Sequence, residues 1–313
     1  MTKKTSFWRK IFHKNDDIDR VSSMVEHPSV GDRVIDVVVI ILCALVAFCC
    51  VIPMWHVLMC SFSDGEALYA HKGMVWWPVG GFTLKGYENV FKTNDILIGF
   101  ANTIIYTLLT TAVGFFLTVT AGYALSRTTK LKSFMTTFIM ITMMFGGGMV
   151  PTYMVVKAIG WVNTPLAIIL PGCTNAMFII MMMNEFNRIP NDYFEAARID
   201  GAGHFRILFK IMLPMAMNMG AVIILNSVVG TWNSWLQASI YITNRNTNMW
   251  PLQLYIREIT ANAESFLQSS TPDYSRYLIQ FAVVIVSTLP ILLLFPFFQD
   301  KMEKATITGG VKG

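Results

Sequence analysis

Six stretches of this 313-residue chain carry no lysine, arginine, aspartate or glutamate: residues 37–63, 96–126, 133–156, 158–184, 211–244 and 277–299. They are 27, 31, 24, 27, 34 and 23 residues long. An α-helix rises about 1.5 Å per residue and the hydrocarbon core of a bilayer is roughly 30 Å thick, so each stretch can cross with some tilt or overhang. Charged residues make up only 14% of the chain against 54% hydrophobic, with a mean hydropathy of +0.51, too little charge to coat a soluble globule of this size. Barrel strands would alternate apolar and polar side chains over about ten residues, whereas these runs are apolar all round. The sequence predicts an all-α membrane protein with six transmembrane helices, near residues 34–62, 97–125, 133–157, 162–184, 215–242 and 277–299. A soluble enzyme domain, a nucleic-acid binder and a disulfide scaffold do not fit this pattern.

Lysine and arginine resist translocation, so their distribution gives orientation. With six crossings, the side holding the N-terminal tail (1–33), the loops after the second and fourth spans and the C-terminus collects 17 basic residues, against 7 on the other side. Both termini are therefore expected in the cytoplasm, with residues 34–313 as one six-span domain. The first apolar run is longer than the roughly 7–15 apolar residues of a signal peptide, so no cleavage is expected. The outer segments are 64–95, 243–276 and a short link at 157–163. Trp76, Trp77, Pro78 and Tyr87 in the first, and Trp250, Leu252, Leu254 and Tyr255 in the second, predict ordered interfacial structure. Pro53, the Gly146–Gly148 run with Pro151, and Pro165, Pro171 and Gly172 predict interrupted helices in the first, third and fourth spans. Cysteines 43, 49, 50, 60 and 173 are odd in number, lack metal-ligand spacing and all lie in apolar runs, which marks them as small core residues.

The densest local signal lies between the fourth and fifth spans, over residues 185–214. Asp192 with Glu195 three residues on can cap a helix that begins just after Pro190, and Gly201 and Gly203 supply a stop and a turn. A second helix then sets Phe205, Leu208, Phe209 and Met212 along one face. The series Glu195-Ala196-Ala197, three residues, Gly201, nine residues, Ile211, one residue, Leu213-Pro214 matches at every position the cytoplasmic loop motif of permease subunits of bacterial ABC importers. A chance match to that many positions is on the order of 10⁻⁵ for a chain this long. The chain resembles that family over roughly residues 34–313. Trp232-Asn233-Ser234-Trp235, Trp250-Pro251-Leu252-Gln253-Leu254-Tyr255, Ser61-Phe62-Ser63 and the closing Gly309-Gly310-Val311-Lys312-Gly313 look like its carbohydrate branch, and within it like the second permease of aldouronate or complex-oligosaccharide importers. The family's usual proline shortly after Pro214 is missing.

The resemblance implies an ABC importer permease fold and a division of labour. A homologous permease would pair with this chain in a heterodimer, two ATPase domains would power it, and an extracytoplasmic binding protein or lipoprotein would deliver a sugar, expected to be an oligosaccharide, at a bacterial plasma membrane. The loop would dock on the ATPase through Glu195, Ala196, Ala197, Arg198, Asp200, Gly201, Ala202 and Gly203. ATP and Mg²⁺ would sit on the partner subunits and no cofactor on this chain, which has no GxxxxGK[ST] phosphate loop. A sugar path needs amides and aromatic faces, for which the spans and their edges offer Asn102, Tyr106, Asn175, Asn226, Trp232, Asn233, Trp235 and Gln237. Each of these residues also suits interhelical hydrogen bonding or interface anchoring. Two alternatives stay open: an ABC permease for a non-sugar solute, and an ion-coupled secondary transporter. The absence of Asp, Glu, Lys and Arg from all six runs weighs against the latter. Membrane lipid, and no nucleic acid, completes the expected surroundings.

Overall fold

A computed structural model describes residues 30–127, 131–262 and 274–310. The expected tail over residues 1–29, residues 263–273 of the second outer segment and the terminal 311–313 lie outside these. All regular elements among the described residues are helical. They run α1 Val30–Ser61, α2 Gly65–Ala70, α3 Lys85–Lys92, α4 Asn94–Arg127, α5 Lys132–Met144, α6 Met149–Ala158, α7 Leu166–Gly172 and α8 Ala176–Arg188. There follow α9 Asn191–Ile199, α10 His204–Met215 with a π-helical turn at Leu208–Met212, α11 Met217–Trp232, α12 Leu236–Tyr241, a 3₁₀ turn at Asn244–Met249, α13 Leu252–Ala261 and α14 Tyr274–Gly310. Four helical segments are long and apolar enough to span a membrane: Arg33–Ser61, Asn94–Arg127, Leu166–Arg188, which contains the α7–α8 break, and Tyr277–Glu303. Two bent pairs raise the number to six, α5 with α6 at 111° and α10 with α11 at 85°.

The chain divides after His56 into two compact units. The described part of the first is one helix, with no second element of its own to bury against. Its apolar side chains are therefore exposed, and so are Cys43, Cys49 and Cys50, which the sequence placed in a core. Cys60 and Cys173, in the second unit, are buried.

The second unit is assembled on α4. Gly99, Thr103, Thr107, Thr110, Gly114, Thr118 and Gly122 recur every three or four residues along this helix, and all are buried. Small side chains on one helical stripe let neighbouring backbones approach closely, the main source of helix adhesion where lipid offers no hydrophobic contrast. α4 accordingly packs against α7, α8, α11 and α13. α14 crosses α11 and covers α2, α3 and α13. Outside the spans, burial pushes the Tyr87 phenol above its ordinary value, with partial opposition from its 2.8 Å hydrogen bond to Ser61.

The breaks follow glycine, proline and capping chemistry. Gly148, at φ +83°, starts α6 after a helix-free run that includes the expected Gly146–Gly148. Asn175 opens α8 by accepting hydrogen bonds from the amides of Met177 at 2.9 Å and Phe178 at 3.3 Å. The fifth span, expected as one run over 215–242, is broken twice. It turns at Ala216, which is fully buried, and again at residues 233–235 between α11 and α12. From Gln299 the chain continues α14 to Gly310, since residues 299–305 contain good helix formers and no proline.

A methyl group on Gly114 would sit 2.7 Å from the carbonyl oxygen of Cys173, a backbone atom that cannot step aside. Gly114→Ala is expected to destabilise the protein in lipid nanodiscs by about 1–3 kcal/mol. Gly146→Ala, which meets nothing within 4 Å, should stay within about 0.5 kcal/mol. Thermal unfolding of the two variants compares them directly.

Candidate functional site: a docking loop and a polar cavity

The 185–214 loop folds as two helices around a glycine turn. Pro190 is the N-cap of α9 and makes no side-chain hydrogen bond, so the expected Asp192–Glu195 capping pair does not form. Asp192 lies two residues past the cap position, in the first turn, and contributes only favourable charge there. The far end is a complete Schellman motif. Gly201 adopts φ +75°, its amide reaches the Arg198 carbonyl at 3.0 Å, and the Ala202 amide reaches the Ala197 carbonyl at 2.9 Å. Gly203 is the N-cap of α10.

The two faces of α9 differ. Glu195, Ala196, Arg198 and Asp200 are exposed and Ile199 is 87% exposed, whereas Ala197 is only 6% exposed and packs into the chain's own core. That core joins Ala197 to Tyr123, Phe186, Ile207, Leu208 and Met212. Of the stripe expected on the second helix, Leu208 and Met212 are buried while Phe205 and Phe209 stack on each other and stay exposed. Ile207 takes an inward place beside the two buried residues, and a π turn follows over Leu208–Met212.

The loop is tied down from beneath by Arg127, the last residue of α4. Its Nη1 donates to Asn191 Oδ1 at 2.8 Å and its Nη2 to the Phe186 carbonyl at 3.3 Å. The guanidinium also lies 5.0 Å from the Phe194 ring centre, whose ring Arg198 approaches at 5.7 Å. Tyr123 and His204 Nδ1 are hydrogen-bonded at 3.2 Å. Sequence reasoning missed Arg127 because it lies 68 positions before Glu195; a basic residue closing a span was the only available signal.

Midway along α4 a cavity of about 300 Å³ opens between α4, the α7–α8 break and α11. Its wall mixes apolar side chains such as Phe115, Ile168 and Phe178 with polar groups that carry no formal charge: Thr110, Thr118, Ser227 and Thr231 supply hydroxyls, and Asn175, Asn226 and Gln237 amides. Thr110 Oγ1 is buried and has no hydrogen-bond partner. Asn226 donates its Nδ2 to the Val222 carbonyl at 2.8 Å, which leaves its carbonyl oxygen uncommitted by that bond. Gln237 accepts from Ser234.

The profile of the family described as binding-protein-dependent transport system inner membrane component matches residues 114–308. The chain belongs to this family. The permease is 33% identical over 295 residues to the protein LplC of Bacillus subtilis (strain 168), covering 92% of this chain and 98% of that one. It is 33% identical over 289 residues to the polygalacturonan/rhamnogalacturonan transport system permease protein YtcP of the same strain, covering 90% and 99%. Its fold superposes with a TM-score of 0.78, at 26% identity, on a chain of a bacterial ABC transporter involved in the import of the acidic polysaccharide alginate, covering 89% of the permease and 100% of that chain. It is thus a multi-pass membrane protein with the all-α fold of ABC importer permeases.

The eight residues expected along a sugar path fall into two sets in the permease. Asn175, Asn226 and Gln237 line the cavity. The other five do not, and hold the fold. Asn102 Nδ2 donates to the carbonyls of Asn248 at 2.7 Å and Trp250 at 3.1 Å, and Tyr106 to the Met249 carbonyl at 3.0 Å, so that α4 anchors the second outer segment. Trp232 is buried and donates to the Ser287 carbonyl at 3.0 Å. Asn233 donates back to Val229, and Trp235 lies beneath Arg257 at 3.5 Å. Burial, then the charge of Asp95, raises the pKa of Tyr255 above its ordinary value, and its bond to the Thr247 carbonyl opposes this weakly. The phenol therefore remains a neutral donor at physiological pH. The hydroxyls of the cavity escaped sequence reasoning because threonine and serine are unremarkable in apolar runs.

Removing the Asn102 amide leaves two outer-segment carbonyls short of a donor. Asn102→Ala should speed amide hydrogen exchange across residues 248–254, corresponding to about 1–3 kcal/mol of lost local protection. Unchanged exchange there would contradict the anchoring role.

Proposed function

We propose that this permease subunit serves an ATP-driven importer that moves a sugar from an extracytoplasmic binding protein into the cytoplasm, with α9 as its docking helix for an ATPase partner. The observation that carries this reading is the exposed edge formed by Glu195, Ala196, Ile199 and Asp200, held rigid at both ends and packed on the core that α4 enters. Ala196 permits close approach, Ile199 is an apolar plug that only a partner can bury, and Glu195 offers a carboxylate to an arginine or to backbone amides. The same reading puts the Arg127 end of α4, the N-terminal tail and the C-terminus in the cytoplasm. The partners are then a homologous permease, two ATPase domains carrying ATP and Mg²⁺, and a binding protein or lipoprotein on the other side.

The cavity is this chain's share of the solute path. Its hydroxyls and amides match the edges of a sugar, and the names of relatives that handle polygalacturonan, rhamnogalacturonan or alginate favour a glycan over an ion or peptide. The second outer segment, gathered on α4, would face the binding protein.

Charge reversal at Glu195 tests the docking role. In the complex purified with its ATPase and reconstituted in liposomes, Glu195→Lys should reduce uptake at least about tenfold, as expected when a charged contact meets a like-charged pocket. Gly201→Val, which forces a β-branched residue to positive φ, should act in the same direction. Wild-type uptake by Glu195→Lys would rule the docking helix out.

A further inference from the structure

We propose that Arg127 is the positioning residue that carries displacement of α9 into α4, and through α4 into the wall of the cavity. The proposal rests on the reading of α9 as the ATPase-docking helix. Two of the routes out of α9 are covalent: residues 189–190 lead back to α8 and residues 200–203 lead on to α10. α4 has no such link. It meets the loop through the Arg127 fork, through the Tyr123–His204 hydrogen bond and through apolar packing.

Arg127 is built for this place. A guanidinium is planar, always charged and carries five donors in fixed directions, so it can hold several groups in one mutual geometry. Here one fork reaches Asn191 and Phe194 of α9, the Phe186 carbonyl of α8 and, at 3.9 Å, Met212 Sδ of α10. Among the described residues no carboxylate pairs with it, the ion pairs there being Lys92–Glu88 and Arg188–Glu185. Its partners are neutral acceptors and a ring face, so its grip depends on direction more than on charge. Among the described residues its buried Nε has no hydrogen-bond partner, which leaves one bond still to be made if the loop shifts. From Arg127 to Thr110 in the cavity wall is 17 residues of continuous helix, about 25 Å, and α4 has no proline to absorb a displacement. Without the fork, α8, α10 and α11 would still follow α9, while α4 would lag.

The test needs no knowledge of the sugar. In the complex purified with its ATPase, with the native cysteines replaced by serine, a single cysteine is placed at Phe115 on α4 or at Asn226 on α11, both lining the cavity. Its alkylation by a small methanethiosulfonate is timed with and without ATP and vanadate. With Arg127 present, nucleotide should change the rate at both positions by about tenfold. In Arg127→Ala, the response at Phe115→Cys should fall below about twofold and that at Asn226→Cys should persist, a split that general destabilisation would not produce. Arg127→Lys keeps the charge without the fork and should resemble Arg127→Ala; a restored response would overturn the role given to the fork. Equal responses at Phe115→Cys with and without Arg127 would overturn the proposal outright. If Arg127→Ala fails to assemble, Asn191→Ala removes the 2.8 Å bond alone and is judged by the same split. Should nucleotide change neither cysteine even with Arg127 in place, the docking reading itself fails and this proposal fails with it.

Discussion

Close backbone packing along the small-residue stripe of α4 is the contact on which the rest of the second unit depends. Lipid gives apolar helices no reason to prefer one another, so adhesion comes from shape and from satisfied polar groups. Glycine and threonine every three or four residues provide both. Gly114 leaves room for the Cys173 carbonyl, Gly122 for the Met182 side chain, and Thr103 accepts the Leu252 amide at 2.8 Å while donating to the Gly99 carbonyl. The outer segment, the cavity and the docking loop are thereby arranged along one helix: Asn102 and Tyr106 near one end, Thr110 to Thr118 in the middle, and Tyr123 and Arg127 at the other.

The helix breaks serve the same arrangement. A broken span exposes backbone groups at membrane depth, tolerable only where side chains or neighbouring backbone satisfy them or where a cavity is lined. The α7–α8 break does both, because Asn175 caps the helix that follows and also lines the cavity. The 85° turn at Ala216 lets α10 leave the line of α11 and join the loop core through Leu208 and Met212. The proline that the family usually carries after Pro214 is not needed for that turn; a fully buried alanine after a π-helical stretch achieves it.

Much of this was legible in the sequence, and the remainder was hidden for identifiable reasons. Uninterrupted apolar runs announce spans, and Gly201 after Glu195-Ala196-Ala197 announces the turn between two short helices, because both signals are local. What depends on register or on distant partners was not legible. Phe205 and Phe209 stand off the buried face that Ile207, Leu208 and Met212 form, and Ala197 turned inward although Ala196 beside it turned outward. Tyr106 and Trp232 read equally well as sugar contacts or as hydrogen-bond donors to backbone, and only tertiary placement shows them bonded to the Met249 and Ser287 carbonyls. The α4 stripe was present in the letters as glycine and threonine at helical spacing, but small residues draw no notice in a search for chemistry.

The central claim is that the outward edge of α9 touches an ATPase. Single cysteines at Ala196 or Ile199, in a chain otherwise free of cysteine, provide the direct measurement when the complex is treated with a short bifunctional maleimide and the adduct is identified by mass spectrometry. The account predicts cross-links from both positions to the ATPase subunit, and none from Glu258 of α13, a helix that packs on α4 far from Arg127. Cross-linking from Glu258→Cys with none from Ala196→Cys or Ile199→Cys would contradict both the docking surface and the orientation of the chain in the membrane.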